Sequence, residues 1–367
     1  TEDETSPNIR VQYVGLPGWL RPFLRFQGTH QFYAYLWQIA AYFTARKLHR
    51  QHRFDLFHHI TYANDWMPSF IGALLPISYI RGPGGGAHKT PKGLEREYPL
   101  GGQVWERIRS LSQWLFRRDP FFRRGQDRAD ALLLCNKESI SQVPSKWRKK
   151  VHEFPVNGIS SEDLNVSQLD RRPDKTTDTG FQILTAGSLI RVKGFGLAVK
   201  AFDEFRQRHP DSNFTIVGSG PEENRLRGLV SQLHLEEKVK ILHSIPRKQL
   251  LGEMARCDVF LFPSLRDGGG AVVIEAMAVG KPVVCLDTGG PAMHVTEDCG
   301  VKVSPDSSEI LAKKLADALE TLYLDPDLRQ RLGAAAAKRA KKSYHWDRLG
   351  DRLMSIYRRV TTASLVE

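Results

Sequence analysis

Cysteine is scarce in this sequence: four in 367 residues (Cys135, Cys257, Cys285, Cys299), scattered and with no Cys-x-x-Cys pair. That excludes a disulfide scaffold and a cysteine zinc site, and it fits a reducing compartment. Long apolar runs are also missing. The longest, such as Ile71–Ile80, extend about ten residues and contain a proline, whereas a spanning helix needs about 20, so no membrane span is expected. Thr1–Pro7 is polar, with no initiator methionine and no signal peptide, so the chain is expected to begin partway through a larger domain. Several signatures of nucleotide and hydrolytic chemistry are absent as well. There is no G-x-x-x-x-G-K-[ST] loop, no H-E-x-x-H, no G-x-S-x-G and no Asp-x-Asp metal motif, and Gly218-x-Gly220 has Glu223 where a dinucleotide fingerprint needs its third glycine. These gaps weaken readings as a P-loop NTPase, a zinc protease, an α/β-hydrolase or a nicotinamide enzyme.

What is present is a globular composition, 41% hydrophobic and 26% charged, which excludes disorder for the chain as a whole. The net charge of +12 is lopsided: residues 1–150 hold 23 Lys+Arg against 12 Asp+Glu, and the remainder 30 against 29. Six of seven tryptophans (Trp19, Trp37, Trp66, Trp105, Trp114, Trp147) fall in the same first 150 residues. A basic, tryptophan-rich half suits an anionic partner such as a lipid head group, a phosphorylated substrate or a nucleic acid; a merely solvated basic face is the alternative.

Hydrophobic periodicity predicts strands alternating with helices. The first half reads as a strand at Arg10–Leu16, a helix over Gln31–Gln51, strands at Asp55–Ile60, Ile77–Ile80, Ala131–Cys135 and Val151–Phe154, and basic helices over Val104–Arg118 and within Phe121–Arg128. Pro155-Val156-Asn157-Gly158 reads as a turn, and the polar stretch Ser160–Gly180 as a linker. The second half repeats strand, loop and helix more cleanly, from Phe181–Ala186 to Pro282–Leu286, and closes with helices near 307–324, 326–342 and 346–360. Such alternation implies parallel, doubly wound α/β sheets with ligands at the carboxyl ends of the strands.

Three features there suit a phosphate and a sugar. Gly187–Gly194 joins a strand to a helix and carries Arg191 and Lys193, a fork and a point charge for a diphosphate. Asp267-Gly268-Gly269-Gly270-Ala271 opens a helix, where bare backbone can approach an anion. Glu275 follows one turn in, with seven residues between it and Asp267, so two carboxylates can face one cleft. Separately, each has an ordinary reading: a solvated pair, a plain turn, a helix-dipole charge. In the first half, Gly82–Gly86 (with Gly84 and Gly85) suggests an anion nest or a close backbone approach, with a structural turn as the alternative; His88 and the pair His58-His59 stand at the same expected cleft.

These residues resemble the retaining glycosyltransferases of the GT-B fold, family 4 (glycosyl transferases group 1). The run Phe262–Val284, which contains Asp267 and Glu275, looks like the family's Glu-x7-Glu segment; Gly187–Gly194 and Val217–Pro221 match more loosely, and Pro155–Ile159 resembles its interdomain turn. The resemblance implies two Rossmann-like domains facing across a cleft: an acceptor-binding domain over 1–158 whose start is missing, a nucleotide-sugar domain over 159–343, and a helix over 344–367 returning to the first. It implies that Glu275 holds ribose hydroxyls and Asp267 the donor sugar. It also implies that the Gly268–Ala271 amides touch sugar and phosphate, that Arg191 and Lys193 neutralise the diphosphate, and that Gly218, Ser244 and Ile245 lie at the nucleotide. Gly84, Gly85, His88 and His59 would lie on the acceptor side. Three departures stand out: Asp267 replaces the usual Glu, Gly268-Gly269-Gly270 replaces Gly-Phe-Gly, and Ser188 replaces the common Arg. The implied activity is metal-independent transfer from a UDP- or GDP-sugar, with no cofactor, to a lipid-linked or glycan acceptor. The expected setting is the cytoplasm, with peripheral contact to an anionic membrane and no nucleic-acid partner. The rivals are a sugar-nucleotide epimerase of the same fold, against which the Asp267–Glu275 segment speaks, and a basic nucleic-acid binder. Against the latter, Arg117, Arg118, Arg123 and Arg124 lie in helices, not interleaved with aromatics on a sheet.

Overall fold

The structure, a computed structural model, describes residues 8–18, 29–60, 64–91, 93–98, 100–169 and 180–363. A long helix, α1 (Thr29–His52), leads into four parallel strands, β1 (Leu56–His59), β2 (Ser78–Gly84), β3 (Ala131–Leu134) and β4 (Val151–Glu153), which neighbour one another in chain order. Their connections hold α2 (Phe70–Leu74), α3 (Leu100–Phe116), α4 (Pro120–Arg128) and α5 (Lys137–Ser141), and α6 (Ser161–Leu169) follows β4.

The second sheet has six parallel strands, β5 (Phe181–Ala186), β6 (Ser212–Val217), β7 (Val239–Leu242), β8 (Val259–Phe262), β9 (Val283–Leu286) and β10 (Gly300–Val303), in the order β10-β9-β8-β5-β6-β7. Its helices are α7 (Phe195–Arg208), α8 (Glu223–Gln232), α9 (Arg247–Arg256), α10 (Ala271–Ala278), α11 (Gly289–His294), α12 (Ser308–Leu324) and α13 (Pro326–Tyr344). The chain builds outward through β6 and β7, then returns to lay β8 beside β5. The order therefore reverses between β5 and β8, and the loops after these two strands diverge there into a crevice. Every residue of β8 and β9 is buried, as a sheet covered on both faces requires. One cover is α7 and α12, through Phe202, Phe205, Leu315 and Leu319. The other is α9, α10 and α13, through Met254, Val273, Met277 and Ala336.

The last helix, α14 (Trp346–Ala363), leaves the second sheet and covers the first. Ile159 N donates to Tyr344 O (2.8 Å) and Trp346 N to Ile159 O (3.0 Å), so the chain crosses between sheets twice at one point. Leu349, Ile356 and Val360 then pack on Ile80, Leu133 and Phe154. Gly158 has no side chain because Trp346 occupies the space: a Cβ there would lie 2.8 Å from the indole.

Three expectations differ from what is found, and three elements had none. Residues 9–17 form no strand; three alternating apolar residues supply no pairing partner, and Ile9, Val11 and Tyr13 stand exposed. Strand β2 continues past Ile80 to Gly84, because parallel pairing with β3 persists through Gly84 opposite Leu134 despite a register shift. The supposed linker begins as helix α6, capped reciprocally by Ser160 N to Asp163 Oδ2 (2.8 Å) and Asp163 N to Ser160 Oγ (3.2 Å), a capping box of readable spacing. Its remainder, 170–179, lies outside the described residues, as do Thr1–Pro7 and Trp19. Finally α5, α11 and β10 carry too little periodicity to be read from sequence: α11 begins at Gly289-Gly290, which reads as a turn.

Candidate functional site

The crevice between β5 and β8 is where the sequence candidates partly converge. The two loops are stitched together by one carbonyl: Val192 O accepts from Leu265 N (2.9 Å), Arg266 N (3.2 Å) and Ser264 Oγ (3.1 Å). Gly194, at φ 69°, starts α7 so close to β8 that a Cβ would lie 2.1 Å from Pro263 O. Only glycine takes that position without displacing the loop. The stitching delivers Lys193 from one loop onto Asp267 of the other, where they form a largely buried ion pair.

Asp267 is also the pivot of its own loop. Its Oδ1 accepts from Gly269 N (3.0 Å) and Gly270 N (2.8 Å) while Oδ2 takes Lys193. Burial by itself lifts this carboxyl, but Lys193 and the two amides outweigh it and hold its pKa below the usual carboxylate range. Two of the four amides that the resemblance assigns to sugar and phosphate are therefore committed to Asp267. Behind the loop, Gly290 N donates to Asp267 O (2.8 Å), and His294 sits between Gly269 O (2.8 Å from Nε2) and Tyr344 OH (3.0 Å from Nδ1). A carbonyl only accepts, so Nε2 carries the proton and Nδ1 accepts from the tyrosine. Burial pushes this imidazole down to about 4, so it is neutral.

The remaining candidates divide. Glu275 lies inside α10, about 7 Å of helix rise beyond Gly270, and is paired with Arg247 (Nε to Oε1, 2.8 Å), whose Nη1 also reaches Asp163 (2.8 Å). Burial raises the Glu275 pKa and Arg247 only partly opposes it. Arg191 is not brought onto the Lys193–Asp267 pair. Three residues of 3-10 helix turn it away from Lys193 and Asp267, its Nε bonds Glu222 (3.0 Å), and Arg225 shares that acid. The expected grip of four residues on one ligand is thus, in this state, a Lys193–Asp267 pair, a Glu275–Arg247–Asp163 cluster further along α10, and a separate Arg191–Glu222 pair. Gly218 stands with Ser244 at the carboxyl ends of β6 and β7. Gly218 N donates to Leu242 O (2.9 Å), and Ser219 Oγ meets Ser244 Oγ (2.8 Å). Ile245 packs its side chain on the core beneath.

The first domain meets this loop directly. His88 is buried beside Gly268, where a Cβ would lie 3.2 Å from its ring. Burial first, then Arg109 and Arg266, push its pKa down to about 4. Cys135 Sγ donates to Gly268 O (3.3 Å), and burial pushes that thiol up to about 12, so it is no thiolate nucleophile. Gly85 clears the same sulfur, and Gly84 is paired within the sheet. Glu138 Oε1 accepts from Gly289 N (2.8 Å) and Thr288 Oγ1 (3.2 Å) across the crevice. His59 and His58 do not reach the loop through their described bonds. His59 Nδ1 bonds Ser69, the cap of α2, at 2.8 Å, and His58 bridges Gly82 O and Tyr357 OH, each at 2.6 Å. Sequence reading missed Arg247, Asp163, Glu138 and His294. Asp163 had a signal in its capping spacing; the others act through contacts distant in sequence. A cavity of about 380 Å³ lies in the first domain, away from Lys193 and Asp267, lined by Asp65, Arg81, Arg123, Gln126, Ser139 and Trp147 among others.

Residues 167–339 match the family profile of Glycosyl transferases group 1. D-inositol 3-phosphate glycosyltransferase of Pseudarthrobacter chlorophenolicus is 37% identical over 183 residues, covering 48% of this chain and 42% of that protein. The GDP-mannose-dependent monoacylated alpha-(1-6)-phosphatidylinositol monomannoside mannosyltransferase of Corynebacterium glutamicum is 32% identical over 187 residues, 49% of this chain and 48% of that one. The matches thus span about half the length of these curated relatives. Among solved structures, sucrose-phosphate synthase of Thermosynechococcus elongatus superposes with a TM-score of 0.63 at 20% identity, over 90% of this chain and 79% of that one. Anabaena Alr3699/HepE, solved in complex with UDP, gives 0.62 at 18%, over 88% and 84%. These likenesses show the GT-B fold.

Proposed function

From a glycosyl transferases group 1 domain in the second half of the chain, we propose a retaining glycosyltransferase that moves a sugar from a nucleotide-diphosphate sugar to a hydroxyl of a glycan or lipid-linked acceptor. The observation that carries this reading is the Lys193–Asp267 pair, held with its glycine loop at the point where the strand order reverses. In the proposed step the bond from the anomeric carbon to the diphosphate breaks and its electron pair goes to the phosphate oxygen. The acceptor oxygen bonds to the same face of the sugar, and its proton passes to that phosphate oxygen. Lys193 meets the charge growing on the leaving group; fixed cations of this kind contribute several kcal/mol to such a transition state. No enzymic nucleophile is required, and Asp267 is already engaged by a cation and two amides. Glu275 has lone pairs beyond the one Arg247 takes, and these accept from ribose hydroxyls. The proposed acceptor side is the part of the first domain that meets the glycine loop, where His88 lies beside Gly268.

The relatives named above include a GDP-mannose-dependent enzyme and a UDP complex, so both bases are tested. In a thermal-shift screen across UDP-, GDP- and ADP-sugars, one donor raises the Tm, because a ligand bound only by the folded state stabilises it. That donor is then consumed with an acceptor at an EDTA-insensitive rate, and nuclear magnetic resonance shows the product with the donor's anomeric configuration. No shift with any donor overturns the donor reading, inversion overturns the mechanism, and a rate lost to EDTA overturns metal independence.

A further inference from the structure

Helix α3 is built the wrong way round for a helix in water. Leu100, Val104, Ile108, Leu111 and Leu115 recur at three- and four-residue spacing and so form one stripe. That stripe faces outward: Leu100 is 81% exposed, Leu111 58% and Leu115 55%. The opposite stripe, Glu106, Arg109 and Gln113, faces the protein. Glu106 and Gln113 are buried at 8% and 4%; Arg109 and Gln113 both donate to Gly86 O (2.7 and 2.9 Å), and Glu106 pairs with Arg266 of the second domain. The inner face is thus engaged mainly in polar contacts, with Phe116 packed on Trp66 at its end, and the stripe from Leu100 to Leu115 is left outside. A contiguous exposed apolar stripe of this length on a folded domain marks an interaction surface.

The charge around the stripe identifies the occupant. Trp105 and Trp114 flank it, both exposed, and the Arg118 guanidinium stacks 3.7 Å from the Trp114 ring. Arg107 borders the stripe, and Arg118, Arg123 and Arg124 stand exposed beyond its end. The one acid between residues 100 and 118 is Glu106, which is turned inward. Apolar side chains, interfacial tryptophans and arginines, with the one carboxylate of α3 turned inward, match a helix lying in the head-group plane of an anionic membrane. A second copy seated face to face would set arginine against arginine.

We propose that the outer face of α3 docks the protein on an anionic lipid bilayer, with the stripe from Leu100 to Leu115 entering the acyl boundary and the arginines meeting the phosphates. This surface stands independently of the transfer reaction proposed above. The test is flotation of the full chain with vesicles of phosphatidylcholine mixed with phosphatidylglycerol, and with phosphatidylcholine alone. The wild type is expected to float with the mixed vesicles, with a blue shift of tryptophan emission, and to bind phosphatidylcholine alone about tenfold more weakly or less. Leu111→Asp, on the exposed face, is expected to keep the wild-type Tm and lose binding about tenfold or more; Arg107→Glu is expected to weaken it and flatten its dependence on salt. Absence of flotation, or flotation unchanged in Leu111→Asp, overturns the proposal. So does a dimer in light scattering that Leu111→Asp dissociates, which assigns the face to a second copy.

Discussion

Asp267 has one cation and two amides as partners before any ligand arrives, and this separates its functions. Asp267→Asn keeps the acceptor oxygen that shapes the Gly269–Gly270 turn and removes the charge that orients Lys193. The expected outcome is a Tm within a few degrees of wild type and a transfer rate lowered at least tenfold. Lys193→Ala is expected to lower kcat by about a hundredfold or more, and Arg191→Ala by far less, since Arg191 faces Glu222; equal losses in steady-state assays would contradict the division of the two cations. Gly194→Ala places a methyl on Pro263 O and is expected to cost about 2 kcal/mol or more in urea unfolding. The histidines set an acid limit. His294 and His88 titrate near 4 in the folded chain and near 6.5 unfolded, so the unfolded chain takes up protons first as pH falls. Their stability contribution is complete above pH 6.5 and is lost progressively down to about 4, worth about 3 kcal/mol for each buried ring. Tm measured from pH 7 to 4.5 should therefore fall, and the slope should flatten in His294→Gln.

At the scale of the element, α14 matters more than its terminal position suggests. It covers one face of the first sheet with Leu349, Ile356 and Val360, joined at the edge by Leu353 and Tyr357. Ile356→Ala removes a side chain only 3% exposed and is expected to cost about 2–4 kcal/mol. Hydrogen exchange should localise the loss to β2 and β3; a loss confined to β8 and β9 would show that α14 braces the wrong sheet. Helix α6 shows how a short polar segment is decided: its reciprocal Ser160–Asp163 cap satisfies two amides, and Asp163 is then fixed to meet Arg247.

At the scale of the molecule, the two halves meet mainly through polar contacts, beside one apolar insertion in which Leu94 and Tyr98 of the first domain join the core of the second. Glu106 and Arg109 of α3 surround Arg266, Cys135 reaches Gly268, and Glu138 caps Gly289. Such an interface favours relative motion of the domains. Glu106→Ala leaves Arg266 without its close carboxylate. The expected outcome is a larger radius of gyration in small-angle scattering and a raised KM for donor at similar kcat; an unchanged radius would mean that this pair does not hold the halves together.

Local sequence by itself determined the period of the strands and helices, the cleaner α/β repeat of the second half, and the glycine and acid spacing of 262–284. These are written in neighbouring residues, where side-chain alternation and backbone freedom act directly. It misread Arg10–Leu16 as a strand and stopped β2 at Ile80, because whether a strand forms or continues depends on a partner distant in the chain. Only the tertiary structure decided that Lys193 meets Asp267 while Arg191 turns to Glu222. Two cations separated by one residue in a 3-10 turn point in different directions, and charge content alone does not specify direction. The inversion of α3 was decided the same way: the segment read as a basic helix, but which stripe faces inward depends on where Gly86 and Arg266 present their partners.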